Sequence, residues 1–217
     1  MKKLTLKSSA MFHPGAAAPV RRRGNRETRV PEVIDVSIDV LIATGYAGYT
    51  INRVANDAGI RLSTLQHYFP TREALLRATL EEIARRHLER FRAVAENRNR
   101  SAQARLEAII DDAFIEFVKP GLPAAVFEIW GLALHEPFAR DVVVEIQKQF
   151  TRLFGKLVGE VNPALSPEEC ELRGALIMSS FEGLVVFLRW SEDSASQMHA
   201  FRKAVKVVWN GLSKADE

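Results

Sequence analysis

The 217-residue chain holds a single cysteine, Cys170, which excludes an internal disulfide framework and any zinc site built from several cysteines. Its five histidines, His13, His67, His87, His135 and His199, show no metal-ligand spacing with one another or with Cys170. A glycine-rich phosphate loop and a nucleophile elbow are both missing, so catalysis finds little support. No apolar run approaches the ~20 residues that a membrane helix needs. Lys7, His13 and Pro14 interrupt any apolar signal core behind Met1-Lys2-Lys3. Sustained period-two alternation is absent, which leaves strands no pattern to form on. What remains is a chain expected to be all-α and cytoplasmic, without a cofactor or a metal, away from membranes, and not an enzyme.

Net charge is small but unevenly placed. The net charge is +3. Residues 1–72 carry 11 Lys/Arg against 5 Asp/Glu, and residues 73–217 carry 19 against 22. A basic end on a mildly acidic body is what a polyanion-binding head requires. Residues 1–26 hold Pro14, Gly15, Pro19 and Gly24, lack helical periodicity, and read as a disordered basic arm. Arg21-Arg22-Arg23 and Arg26 close that arm, placed either to follow phosphates or merely to solubilise the chain.

Helical periodicity then runs to the end. Val33, Ile34, Ser37, Ile38, Leu41 and Ile42 form a stripe at three- and four-residue steps, predicting a helix over 28–44 that stops at Gly45. Two short helices follow over 50–57 and 62–69. Thr71 caps a long helix to about Asn97, and Ser101 the next, to about Val118. Lys119 to Pro123 is a breaker, with helices predicted over 123–135 and 137–161 beyond it. Ser166-Pro167-Glu168-Glu169 reads as a capping box opening a helix to about Trp190, and Ser194 with Gln197 repeats the pattern for the last. The total is about nine helices.

Thr50 to Arg72, TINRVANDAGIRLSTLQHYFPTR, is the most informative stretch. Val54, Ala55 and Ala58 share one face of a short helix, Gly59 suits the left-handed residue that reverses the chain, and Ile60, Leu65 and Phe69 continue the apolar side. Arg61, Leu62, Ser63, Gln66 and His67 then point away from it. Such a unit places one helix in a DNA major groove.

Gly45-Tyr46, Thr50, Val54-Ala55, Ala58-Gly59-Ile60, Thr64-Leu65, His67-Tyr68-Phe69 and Arg72-Glu73-Ala74-Leu75-Leu76 together resemble the DNA-binding domain of the tetracycline-repressor (TetR) family. The resemblance spans about Thr28 to Leu76. Gln66 stands where the family usually has an aromatic residue, and Leu62 where it is often polar or Lys. The resemblance implies phosphate contacts from Thr50, Thr64, His67, Tyr68 and Arg72; the outward face and its chemistry add base contacts from Gln66, Arg61, Leu62 and Ser63, with Asn52 a weaker candidate. It implies a double-stranded operator, a homodimer, a small-molecule effector and, as the family's usual mode, repression. The resulting division is a basic arm over 1–26, a three-helix helix-turn-helix domain over 27–72, and a helical bundle over 73–217 for effector binding and dimerisation.

In the bundle, Leu172, Ala175, Leu176, Ser179, Gly183 and Val186 mix small and large residues on one stripe, and Met198, Phe201, Val205, Val208, Trp209 and Leu212 form another. Two such helices cannot cover each other, whereas a second copy gives a four-helix interface. Phe201 and Trp209 are expected there. The middle helices offer Phe127 and Trp130 as pocket walls, with Glu128, His135 and Glu182 as polar contacts for an effector of unspecified chemistry. The long helix beginning at Thr71 is expected to be the only element linking head and body. His87, beside Arg85, Arg86 and Arg90, reads as part of a solvated face. Two other functions fit less of this pattern: an effector-independent architectural DNA-binding protein, and a helical carrier or enzyme.

Overall fold

The structure, a computed structural model, describes residues 26–119, 121–191 and 195–214. Among them are nine helices and no strand: α1 Arg26–Gly48, α2 Ile51–Asp57, α3 Leu62–Tyr68, α4 Arg72–Ala95, α5 Ala102–Glu116, α6 Gly121–Ala133, α7 Pro137–Val161, α8 Pro167–Trp190 and α9 Ala195–Lys214. The fold is all-α, with the helix-turn-helix at the N-terminal end and a helical body behind it. The basic arm lies outside the described residues except for Arg26, as does Ser194, the expected cap of the last helix.

The caps act as the sequence indicates. The hydroxyls of Thr50, Thr71, Ser101 and Ser166 accept from the backbone N–H of Arg53, Ala74, Ala104 and Glu169 at 3.0–3.2 Å, each satisfying an orphan donor of the first turn. The capping box at α8 is only half made. The Glu169 carboxylate takes Arg173 Nε at 2.6 Å instead of reaching back, because a charged donor outcompetes a neutral backbone N–H. The breaker also yields earlier than expected. α6 begins at Gly121 and holds Pro123 in its first turn, where a missing N–H costs nothing. α1 continues past its predicted end to Gly48, but Gly45, at φ 63° and ψ 177°, breaks the rod where the sequence places the stop.

Two apolar cores form. One joins α1, α2 and α3 to the first half of α4 through Val33, Leu41, Val54, Leu65, Leu76 and Leu80, and continues into Ile129 of α6 and Val142 of α7. Ser37, Tyr49 and Thr79 make a buried hydroxyl chain through it, with Ser37 Oγ 2.6 Å from Tyr49 Oη and 2.7 Å from Thr79 Oγ1. The other core joins the second half of α4 to α5, α7, α8 and α9 around Phe91, Phe117, Phe150, Phe154 and Phe181. The head is therefore packed onto the body through α6 and α7 as well as through α4. This corrects the expectation that α4 alone connects them.

α7 and α8 cross closely where two glycines meet: a Cβ on Gly174 would lie 2.6 Å from both Gly155 N and Thr151 O. The outward face of α8 is the predicted stripe, with Leu172, Ala175, Leu176, Ser179, Gly183 and Val186 all exposed. α9 is turned differently from expectation. Trp209 is fully buried against Phe154 and Phe181, and its Nε1 donates to Ser180 Oγ at 3.1 Å. Phe201 is half-buried, 5.8 Å from Phe114 and 4.5 Å from Phe187 between ring centroids. α9 packs on α5, α7 and α8, so the widest part of its apolar stripe completes this chain's own core. Val207 and Val208 are what it leaves exposed.

Candidate nucleic-acid interface and ligand pocket

The turn between α2 and α3 is a Schellman closure. Gly59, at φ 63°, lets its own N–H reach Asn56 O at 3.0 Å and the N–H of Ile60 reach Ala55 O at 3.0 Å. Nothing approaches the position of a Gly59 Cβ, so the backbone conformation is what requires glycine there. Leu65 is buried on the inner side of α3. Arg61, Leu62, Ser63, Thr64, Gln66 and His67 are all exposed on its outer side, with Thr50 and Asn52 exposed at the start of α2. Tyr68 is half-buried, its ring 5.7 Å from that of His67.

Arg72 is held at the start of α4. Its Nε donates to Tyr49 O at 3.1 Å and its Nη2 to Tyr46 O at 3.0 Å, while the guanidinium lies 4.3 Å from the Tyr46 ring centroid. These contacts brace the α1–α2 connection, a role its place in the family motif does not reveal. The charge argument also sharpens. Residues 26–72 carry 5 Lys/Arg and 5 Asp/Glu, so the folded head is neutral by count and the excess of positive charge belongs to residues 1–25.

A small cavity of about 60 Å³ opens between α4, α6, α7 and α8. It lies on the seam of the two cores: Ile83, Ile129 and Val142 belong to one and Phe150, Phe181 and Val185 to the other. Of the five expected ligand residues, Trp130 and Glu182 line it, and Gln147 Nε2 donates to Glu182 Oε1 at 2.8 Å. Phe127, Glu128 and His135 do not. Phe127 packs on Trp130 and Trp190, with centroids at 5.9 and 6.2 Å. His135 is exposed in the turn after α6. Glu128 reaches the head: its Oε2 accepts the N–H of Tyr46 at 2.7 Å, a donor freed from the helix by the break at Gly45. Tyr46 Oη also donates to Glu136 Oε1 at 3.4 Å, a long contact.

The residue that sequence reasoning missed is His87. It lines the cavity, its ring is enclosed by Phe91, Phe117, Phe150 and Phe181 at centroid distances of 5.0–6.1 Å, and its Nδ1 is buried with no hydrogen-bond partner. This overturns the solvated-face expectation. The arginines do form a polar surface: Arg85 and Arg86 both pair with Glu82, and Arg86 also with Asp35. His87 instead falls four residues from Ile83 and from Phe91, on the apolar side of α4. That spacing was available in the sequence, and the neighbouring charges concealed it.

Burial, aided by the nearby Arg90 charge and opposed by Asp112, pulls the His87 pKa from its ordinary 6.5 down to about 4. Below pH 6.5 the unfolded chain takes up a proton that the folded chain refuses until about pH 4. Stability is therefore lost as pH falls through that window, by on the order of 3 kcal/mol at full extent, and is unaffected above it. Other carboxylates also titrate in acid, so the readout is a comparison. The stability difference between pH 7 and pH 4 should be smaller for His87→Phe than for wild type; equal differences would show that His87 is not held neutral.

The geometry meets its counterparts in known proteins. The sequence profile of the bacterial regulatory proteins of the tetR family matches residues 33–79, from the apolar stripe of α1 to the first half of α4. The HTH-type transcriptional regulator BetI of Escherichia coli O17:K52:H18 (strain UMN026 / ExPEC) is 27% identical over 166 residues, covering 74% of this chain and 82% of that protein. A TetR transcription regulator from Haloarcula marismortui ATCC 43049 shares the fold with a TM-score of 0.72 at 17% identity, over 85% of this chain and 98% of that one. A crystal structure from Pseudomonas aeruginosa PAO1 does so with a TM-score of 0.73 at 18% identity, over 88% and 95%. With the helix-turn-helix matched in sequence over residues 33–79 and the whole architecture matched in space, the chain carries a tetR-family helix-turn-helix domain and is a DNA-binding regulator of transcription.

Proposed function

We propose that the protein is a homodimeric repressor that a small molecule, bound in the cavity between α4, α6, α7 and α8, releases from a near-palindromic operator. The observation that carries this reading is the double engagement of α6. Ile129 and Trp130 line the cavity, and Glu128 beside them holds Tyr46 N–H at the break in α1. A ligand that moves α6 must move the head, provided its affinity differs between the two positions. The second copy is proposed to cover the exposed stripe of α8 with Val207 and Val208 of α9, because twofold protein symmetry matches a twofold operator.

Thr50, Thr64, His67 and Tyr68 are assigned to phosphates, and Arg61, Leu62, Ser63 and Gln66 to base edges, with Asn52 at the margin. Glutamine pairs bidentately with adenine, worth roughly 1–3 kcal/mol of discrimination, and Leu62 suits a thymine methyl. The test is selection from randomised duplexes at one fixed salt concentration, with wild type and Gln66→Ala. A palindromic consensus whose preference weakens at one symmetric pair of positions in the variant supports the reading. Affinity that hardly depends on sequence would point to an architectural protein instead.

The relay has its own readout. Glu128→Ala removes the acceptor of Tyr46 N–H, and Glu128→Gln keeps one. With an effector found by thermal-shift screening, Glu128→Ala should bind ligand as wild type does, while the ligand's effect on operator affinity falls about tenfold, within the usual range of coupling energies. Glu128→Gln should stay close to wild type. Undiminished coupling in Glu128→Ala would remove α6 from the relay.

A further inference from the structure

The cavity lining is apolar and aromatic, with Trp130, Phe150 and Phe181 contributing rings. Apart from the Trp130 indole, its polar side chains are His87 and Glu182. No lysine or arginine lines it among the described residues. From this set we infer that the effector is an uncharged, largely apolar molecule of about one ring in size, carrying a hydroxyl that pairs with the imidazole of His87. This inference rests on the effector-responsive reading above and names the ligand class of that site.

Three chemistries compete, and the polar atoms separate them. A carboxylate ligand would bring its charge to Glu182 with no cation in the wall to offset it, which is costly inside an apolar cavity. A quaternary ammonium would meet one carboxylate, already held by Gln147, and one indole. It has no hydrogen-bonding group to offer the His87 imidazole. A hydroxyl both donates and accepts, so it satisfies the imidazole whichever ring nitrogen carries the proton. His87 is held neutral by its burial, with a pKa of about 4, so it offers a hydrogen bond and no countercharge. The surrounding Phe91, Phe117, Phe150 and Phe181 rings fix its orientation. The imidazole is the neutral polar group that the cavity wall offers a ligand.

The test uses the full-length protein and isothermal titration in a sealed cell. The probes are 4-methylphenol, the donor-free 4-fluorotoluene of similar shape, benzyltrimethylammonium and 4-methylbenzoate. 4-Methylphenol should bind tightest of the four, about tenfold more tightly than 4-fluorotoluene, the size of effect one buried hydrogen bond gives. In His87→Phe that preference should vanish, and in His87→Asn, which keeps a polar group, it should survive in part. Melting curves establish that both variants are folded. Equal affinity for 4-methylphenol and 4-fluorotoluene overturns the inference, as does a preference that persists in His87→Phe, tightest binding of either charged probe, or no binding of 4-methylphenol at millimolar concentration. Operator selection without any ligand tests the regulator reading separately, so the two can fail independently.

Discussion

Leu176→Asp should give a folded monomer, and Trp209→Asp should give no folded protein at all. Leu176 is 46% exposed in the isolated chain, on the outward stripe of α8, so a carboxylate there stays solvated until a second copy covers it. Burying an unpaired charge at that contact costs several kcal/mol, enough to dissociate a dimer at micromolar concentration. Operator affinity should fall with it by a factor of roughly 10²–10⁴, because a lone head loses the effective concentration its partner provides. Trp209 is 0% exposed and contacts Phe154, Phe181 and Ser180 of its own chain. Truncating such a ring costs about 3–5 kcal/mol before any charge is added. Sedimentation gives the mass and circular dichroism the melting. A Leu176→Asp dimer of unchanged mass would move the interface elsewhere, and an unchanged melting temperature for Trp209→Asp would contradict the core placement.

Gly174→Ala should destabilise the protein as much as a large core truncation, although it adds only one methyl group. The added Cβ would meet Gly155 N and Thr151 O at 2.6 Å and Gly155 Cα at 2.9 Å. These are backbone atoms of α7 and cannot rotate away. α7 and α8 must separate, and with them the Phe150 and Phe181 walls of the cavity and the seat of the α8 stripe. Overpacking typically costs about 1–3 kcal/mol and at times more, which for a chain of this size lowers the melting temperature by roughly 2–4 °C per kcal/mol. Gly131→Ala is the matched control. Gly131 is exposed on α6 with nothing within 4 Å of its Cβ position, so alanine there should be neutral or stabilising by up to about 1 kcal/mol through helix propensity. If both substitutions have the same effect, the α7–α8 contact is looser than drawn.

Local chemistry was legible without a structure. The hydroxyl caps at Thr50, Thr71, Ser101 and Ser166, the break at Gly45, the positive φ at Gly59, and the apolar face of α2 and α3 all follow from residues within one or two turns of each other. So does the outward set on α3, because the one buried residue there, Leu65, fixes which way the helix faces. The exposed stripe of α8 came through as well, since small residues among large ones at helical spacing mark a close helical contact whoever makes it.

Sequence by itself thus determined the helices, their ends and the helix-turn-helix, because each depends on hydrogen bonds and periodicities that are local. Tertiary structure alone decided which apolar surface each helix spends on its own chain. The α9 stripe is equally compatible with an interface and a core, and only its seat against α5, α7 and α8 sends Trp209 inward and leaves Val207 and Val208 outside. Polar side chains are harder still, since their partners lie far along the chain. Glu128 meets Tyr46 across 82 positions, Arg72 turns back to Tyr46 and Tyr49, and His87 is enclosed by rings from α4, the C-cap of α5, α7 and α8. A residue's type states what it can bond to, and only the fold states what it is given.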